Sequence, residues 1–68
     1  MKPMEILLPS FCLQLKFVQD EMLRSANKHI NNNGIVVVTE FGNEMQIQFI
    51  NYEELREHLA NYCSNLNK

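Results

Sequence analysis

The chain has no tryptophan, two glycines, two prolines and two cysteines in 68 residues. So little Gly and Pro excludes a fibrous or low-complexity chain. Two cysteines are too few for the disulfide framework of a small secreted domain. Cys12 and Cys63 are expected instead to be small buried hydrophobes in a reducing compartment. Cations are scarce as well: six Lys and Arg stand against eight Asp and Glu, a net charge of −2. Lys2, Lys16, Arg24, Lys28, Arg56 and Lys68 are scattered with no two adjacent. A single copy therefore offers no cluster able to displace counterions from phosphates. Two copies could bring Lys16, Arg24 and Lys28 together, so nucleic acid is kept as a second, less favoured partner.

Long hydrophobic runs are also missing. The uncharged stretch from Ile6 to Leu15 contains Pro9 and falls short of the about 20 apolar residues a membrane span needs. It runs straight into an amphipathic pattern, without the small-residue cleavage site of a secretory signal. Phe11 precedes Cys12 where a lipoprotein would carry a small residue. The expected location is the cytoplasm, with no membrane partner.

Reactive constellations are equally sparse. Cys12 or Cys63 could be drawn with His29 or His58 as a nucleophile–base pair, but Cys63 lies on an apolar stripe that His58 does not share. His29 falls in the last turn of a helix, where a cation suits the dipole. Zinc sites favour short paired spacings, and no Cys-x-x-Cys or His-x-x-x-His occurs. Glu53, Glu54 and Glu57 are explained by the positive end of a helix dipole. Gly34 and Gly42 are isolated turn glycines, not a phosphate-cradling loop. The expectation is a non-enzymatic protein without catalytic residues, metal or cofactor.

What is present is a well-patterned apolar fraction of 46%. Residues 1–68 read as a single small domain, since a chain this short leaves room for one core only. Met4 to Leu8 are apolar, short and closed by Pro9, which suits a strand or an extended arm. Ser10 is a candidate N-cap. Phe11, Leu15, Val18, Met22 and Ala26 then recur at helical spacing. Asn31-Asn32-Asn33-Gly34 stops that helix, because Asn and Gly tolerate the left-handed conformation. Ile35 to Phe41 is β-branched strand chemistry, Gly42-Asn43 is a hairpin turn, and Glu44 to Ile50 alternates. Asn51 with Glu54 forms a capping-box pattern. Tyr52, Leu55, Leu59, Tyr62, Cys63 and Leu66 then make one narrow stripe. The expected fold class is α+β: a short N-terminal strand or arm, a helix, a β-hairpin and a helix, with both helices packed on one face of the hairpin.

A two-residue turn sets Val38 opposite Ile47 and Val36 opposite Phe49, which makes that face the core. The other face then carries Ile35, Val37, Thr39 and Phe41 beside Gln46, Gln48 and Ile50. That is more apolar surface than a solvated face usually holds. The N-terminal segment would cover such a patch if it folded across it, and a three-residue turn would move Val37 inward. Otherwise the expected partner-binding residues are Ile35, Val37, Phe41, Gln46, Gln48 and Ile50, an apolar centre with a polar rim. Leu13 and Phe17, one helical turn apart and away from the core stripe, form a second candidate patch. A two-stranded hairpin is marginal alone, so a protein partner, a second copy of the chain in a homodimer, or both would support the fold. The expected function is a small protein–protein interaction or regulatory module such as an inhibitor, adaptor or regulatory subunit.

Gly34-Ile35-Val36-Val37-Val38-Thr39 ahead of a Gly-containing turn, with Asn51-Tyr52-Glu53-Glu54-Leu55 opening the last helix, resembles the DNA-binding part of the prevent-host-death antitoxin family. The resemblance implies a strand–helix–hairpin–helix order, dimers, and a DNA-binding regulator using Lys16, Arg24 and Lys28. Family members typically carry a basic residue after the Thr of the first hairpin strand, where this chain has Glu40. They also continue into a toxin-wrapping tail, whereas this sequence ends within a turn or so of its last expected helix.

Overall fold

The computed structural model describes residues 3–40 and 45–66. In chain order the elements are β1 (Met4–Leu8), α1 (Ser10–Leu13), α2 (Lys16–Asn31), β2 (Val36–Glu40), β3 (Met45–Phe49) and α3 (Tyr52–Leu66). The three strands form one sheet in the order β1-β2-β3. The N-terminal segment is a strand, and it does not fold across the hairpin. It pairs edge to edge with β2, parallel, with Met4 opposite Val36 and Leu8 opposite Glu40. Parallel neighbours need a long crossover, and α1 and α2 supply it.

β2 and β3 are antiparallel, with Val36 opposite Phe49, Val38 opposite Ile47 and Glu40 opposite Met45. This is the register expected from a two-residue turn, and it leaves Val37 on the outer side. The expected turn at Gly42-Asn43 itself lies outside the described residues.

Alternation along the strands sends Ile6, Leu8, Val36, Val38 and Phe49 to one face. There they join Phe11 of α1, Ala26 of α2, and Leu55 and Leu59 of α3 in a single buried core. The helices thus share one face of the sheet, as expected. Burying each of the larger aliphatic side chains contributes about 1.5–3 kcal/mol, and Ile6, Leu55 and Val38 have no exposed surface.

The first helix departs from its periodicity. It breaks after Leu13, with Gln14 and Leu15 in extended conformation (ψ 158° and 152°). Ser10 lies inside α1, and Pro9 precedes it as the cap residue. The break frees backbone carbonyls, and the Gln19 side-chain amide meets them. Its Nε2 donates to the carbonyl oxygens of Phe11 (2.9 Å), Cys12 (3.3 Å) and Gln14 (3.3 Å). As a result Leu15, expected on the core stripe, is 67% exposed.

The end of α2 follows the expected chemistry closely. Asn33 takes the left-handed conformation (φ 65°). Its N–H donates to the Ile30 carbonyl (3.0 Å), and that of Gly34 donates to the His29 carbonyl (2.8 Å), a Schellman termination. A Cβ on Gly34 would lie 2.7 Å from the His29 carbonyl oxygen and closer still to the His29 ring, so glycine is required there by close approach. At the start of α3 the Asn51 Oδ1 accepts the Glu54 N–H at 3.1 Å, the first half of the expected capping box.

The cysteine expectation is corrected outright. Cys12 and Cys63 are joined as a disulfide, with Cα atoms 5.3 Å apart. They tie α1 to the last turns of α3. Among the described residues, no helix is long and apolar enough to cross a membrane.

Candidate interaction surface

Strand alternation that fills the core with one set of residues turns the other set outward. In register, Glu5, Val37 and Gln48 form one row across the outer face, and Leu7, Thr39 and Gln46 form the next. Every buried helical side chain belongs to the core on the opposite face. Among the described residues, no buried helical side chain packs on the outer face.

The expected contact residues divide into four groups on this frame. Gln46 and Gln48 are exposed on the outer face of β3. Ile50, just beyond β3, is 75% exposed, and Ile35, just before β2, is 38% exposed. Val37 points to the outer face but keeps only 7% of its surface exposed. It sits on the central strand between Glu5 and Gln48, so in the single chain it forms the floor of this face. Phe41 lies outside the described residues.

Leu13 and Phe17 are both strongly exposed, at 76% and 63%, but they do not stand one turn apart on a single helix. Leu13 ends α1 and Phe17 belongs to the first turn of α2, with exposed Leu15 in the bend between them. The second patch is therefore a three-residue apolar bend next to the disulfide.

Sequence reading passed over Leu7, which adds more than half of its surface to the outer face. The signal was present: in a five-residue strand, Ile6 inward means Leu7 outward. It became usable only once Met4–Leu8 was placed in the sheet.

At one end of the outer face lies a shallow cavity of about 160 Å³ between Pro3, His29, Gly34, Ile35, Val37 and Gln48. Its wall is mainly apolar. The His29 Nε2 is buried without a hydrogen-bond partner, because the ring lies over the Gly34 backbone. His58 is placed differently. Its ring stacks at a tilt on Phe49, with centroids 5.3 Å apart, and its Nε2 lies 3.5 Å from Glu40 Oε1. The Nε2 makes no hydrogen bond of good geometry, so this is a charge contact available when the ring is protonated.

Two of the cationic side chains pair with carboxylates. Lys16 reaches Asp20 at 4.0 Å on an exposed helix face, which places a carboxylate within the Lys16, Arg24 and Lys28 series. Arg56 pairs with Glu53 at 3.3 Å, also exposed. Such pairs add little stability. The disulfide leaves neither cysteine as a thiol, which removes the nucleophile from either Cys–His pairing. Among the described residues no group of three or more His, Cys, Asp or Glu is placed to hold a metal ion.

No family model, curated protein or solved structure matches the chain.

Proposed function

We propose that this chain is a non-enzymatic protein-binding module that docks its partner on the outer face of the sheet. The observation that supports the reading most is the one-sided covering of the sheet. All buried helical residues pack on one face, while Leu7, Ile35 and Ile50 remain exposed on or beside the other. Gln46, Gln48 and Glu5 supply hydrogen-bonding groups around these apolar residues, as in interfaces with an apolar centre and a polar rim. The partner of this surface is another folded protein with an apolar patch and hydrogen-bonding groups at its margin.

The disulfide bears on where such a module works. A reducing cytoplasm would keep Cys12 and Cys63 as thiols, whereas their pairing suits an oxidising compartment. The working form belongs in an oxidising environment, in contrast to the cytoplasmic expectation.

The test compares the disulfide-bonded chain with Ile35→Glu/Ile50→Glu as affinity baits. The double variant changes exposed positions and is expected to keep the helical circular dichroism of the parent. A partner recovered by the parent should bind it again when both are purified, and should lose at least tenfold in affinity for the double variant. Equal affinity for both baits would remove the outer face from the reading.

A further inference from the structure

The sheet has two edges, and they are not alike. β1 is bounded by Pro3 and Pro9 and carries Glu5. Proline and charge are the usual means by which an edge strand is kept from pairing with another chain. β3 has neither. Its five residues are Met45-Gln46-Ile47-Gln48-Phe49, with no charge, no proline and strict alternation. Among the described residues its backbone ladder runs only to β2, so the groups facing away from β2 are open. An unprotected edge strand of this kind is a template for strand addition.

β3 is also complementary to itself. Antiparallel pairing of two copies about a two-fold axis at Ile47 would place Ile47 opposite Ile47, Gln46 opposite Gln48, and Met45 opposite Phe49. The glutamine pairs fall on the outer face, where amides can hydrogen-bond across the seam. Met45, half exposed in the single chain, would fall beside Phe49 of the other copy on the core side. None of the five residues Met45–Phe49 is ionisable, so the strand brings no charge of its own to the seam.

We infer that β3 is a self-association edge: two copies of this chain join antiparallel through Met45–Phe49 into one continuous six-stranded sheet. The seam lies in the plane of the sheet, and the two outer faces become one surface. The inference does not depend on what binds that surface, because the edge and the face are different sets of atoms. A five-residue seam is small beside the roughly 1,200–2,000 Å² buried by stable interfaces, so the association is reversible with concentration.

Light scattering on a sizing column, over a wide concentration range, reads the mass. The parent chain is expected to rise toward twice its 8.0 kDa. Gln46→Lys/Gln48→Lys sets lysines opposite one another across the seam, where like charges repel, and should remain at the single-chain mass. Gln46→Glu/Gln48→Glu should do the same, and an equimolar mixture of the two variants should regain the doubled mass. In a mixture of labelled and unlabelled parent chains, intermolecular nuclear Overhauser contacts should connect Ile47 with Ile47 and Gln46 with Gln48. This readout needs no folded variant. A parent that stays at the single-chain mass overturns the inference, as does a lysine variant that still doubles. A doubled parent without the Ile47 contact, or with a mass abolished by Ile35→Glu/Ile50→Glu alone, would place self-association on the outer face and overturn it too.

Discussion

The sulfurs of Cys12 and Cys63 are bonded across 51 positions of sequence, and the bond fastens the four-residue α1 to the last turns of α3. Both cysteines pack against the core from its margin. The disulfide thus closes α2, β2, β3 and most of α3 into one loop, with β1 outside it. On the chain-entropy account, a loop of this length is stabilised by about 4 kcal/mol. Reduction, or Cys12→Ser/Cys63→Ser, is therefore expected to lower the denaturant midpoint sharply without changing the strand register. Equal unfolding midpoints for the oxidised and reduced chains would show that the bond contributes nothing to stability.

The Gln19 amide predicts an ordering of variants. Gln19→Ala removes its donors and leaves the carbonyls of Phe11, Cys12 and Gln14 to water, at a cost of about 1–2 kcal/mol. Gln19→Glu has nearly the same shape but turns carboxylate oxygens toward three carbonyl oxygens. It should be the less stable of the two at neutral pH, and urea unfolding of both variants decides the order.

The turn after α2 separates two effects of backbone geometry. Asn33→Ala should cost about 1 kcal/mol, because a left-handed residue with a Cβ and no compensating polar side chain is strained. Gly34→Ala has a different cause. Its new methyl group would press on the His29 carbonyl, which is backbone and cannot swing aside, and overpacking of this type costs about 1–3 kcal/mol. His29→Ala should rescue only part of the second loss, since the carbonyl stays where it is. Full rescue would assign the clash to the ring alone.

At the other helix start, Asn51→Ala deletes the acceptor for the Glu54 N–H and should cost about 1 kcal/mol. Asn51→Asp or Asn51→Ser should retain most of the stability, because each restores a side-chain oxygen at the cap. Thermal unfolding of the three variants measures the difference.

Core and outer-face positions should respond in opposite ways. Leu59→Ala, at a position 1% exposed, should cost about 2–5 kcal/mol through lost burial and the cavity left behind. Ile50→Ser, at a largely exposed position, should stay within about 0.5 kcal/mol. A large loss for Ile50→Ser in dilute protein would mean that this side chain is packed inside the single chain.

Local chemistry was enough for several elements. The stripe from Tyr52 to Cys63, the Asn51 cap and the Asn33-Gly34 stop are written in short sequence windows, because helix periodicity and termini are satisfied by neighbours within a few residues; Leu66, expected to continue the stripe, is 44% exposed. The Val36–Phe49 register was legible for a similar reason: a hairpin is local, and one face had to be apolar. The break at Gln14-Leu15 was not legible. No glycine or proline marks it, and the group that stabilises it, the Gln19 amide, reads as an ordinary exposed helix residue.

The candidate surface follows the same division. Alternation in Ile35–Phe41 and Glu44–Ile50 identified an outer face by itself, including the exposed Gln46, Gln48 and Ile50. The burial of Val37 depended on β1 arriving beside β2, which sets Glu5 next to it. The sequence by itself determined the helical course of α3, the stop at the end of α2 and which side of the hairpin turns inward, since those follow from backbone preference and nearest neighbours. Only the tertiary structure decided the parallel pairing of β1, the Cys12–Cys63 bond and the open edge of β3. Each depends on where segments distant in sequence meet in space, and no local propensity encodes that meeting.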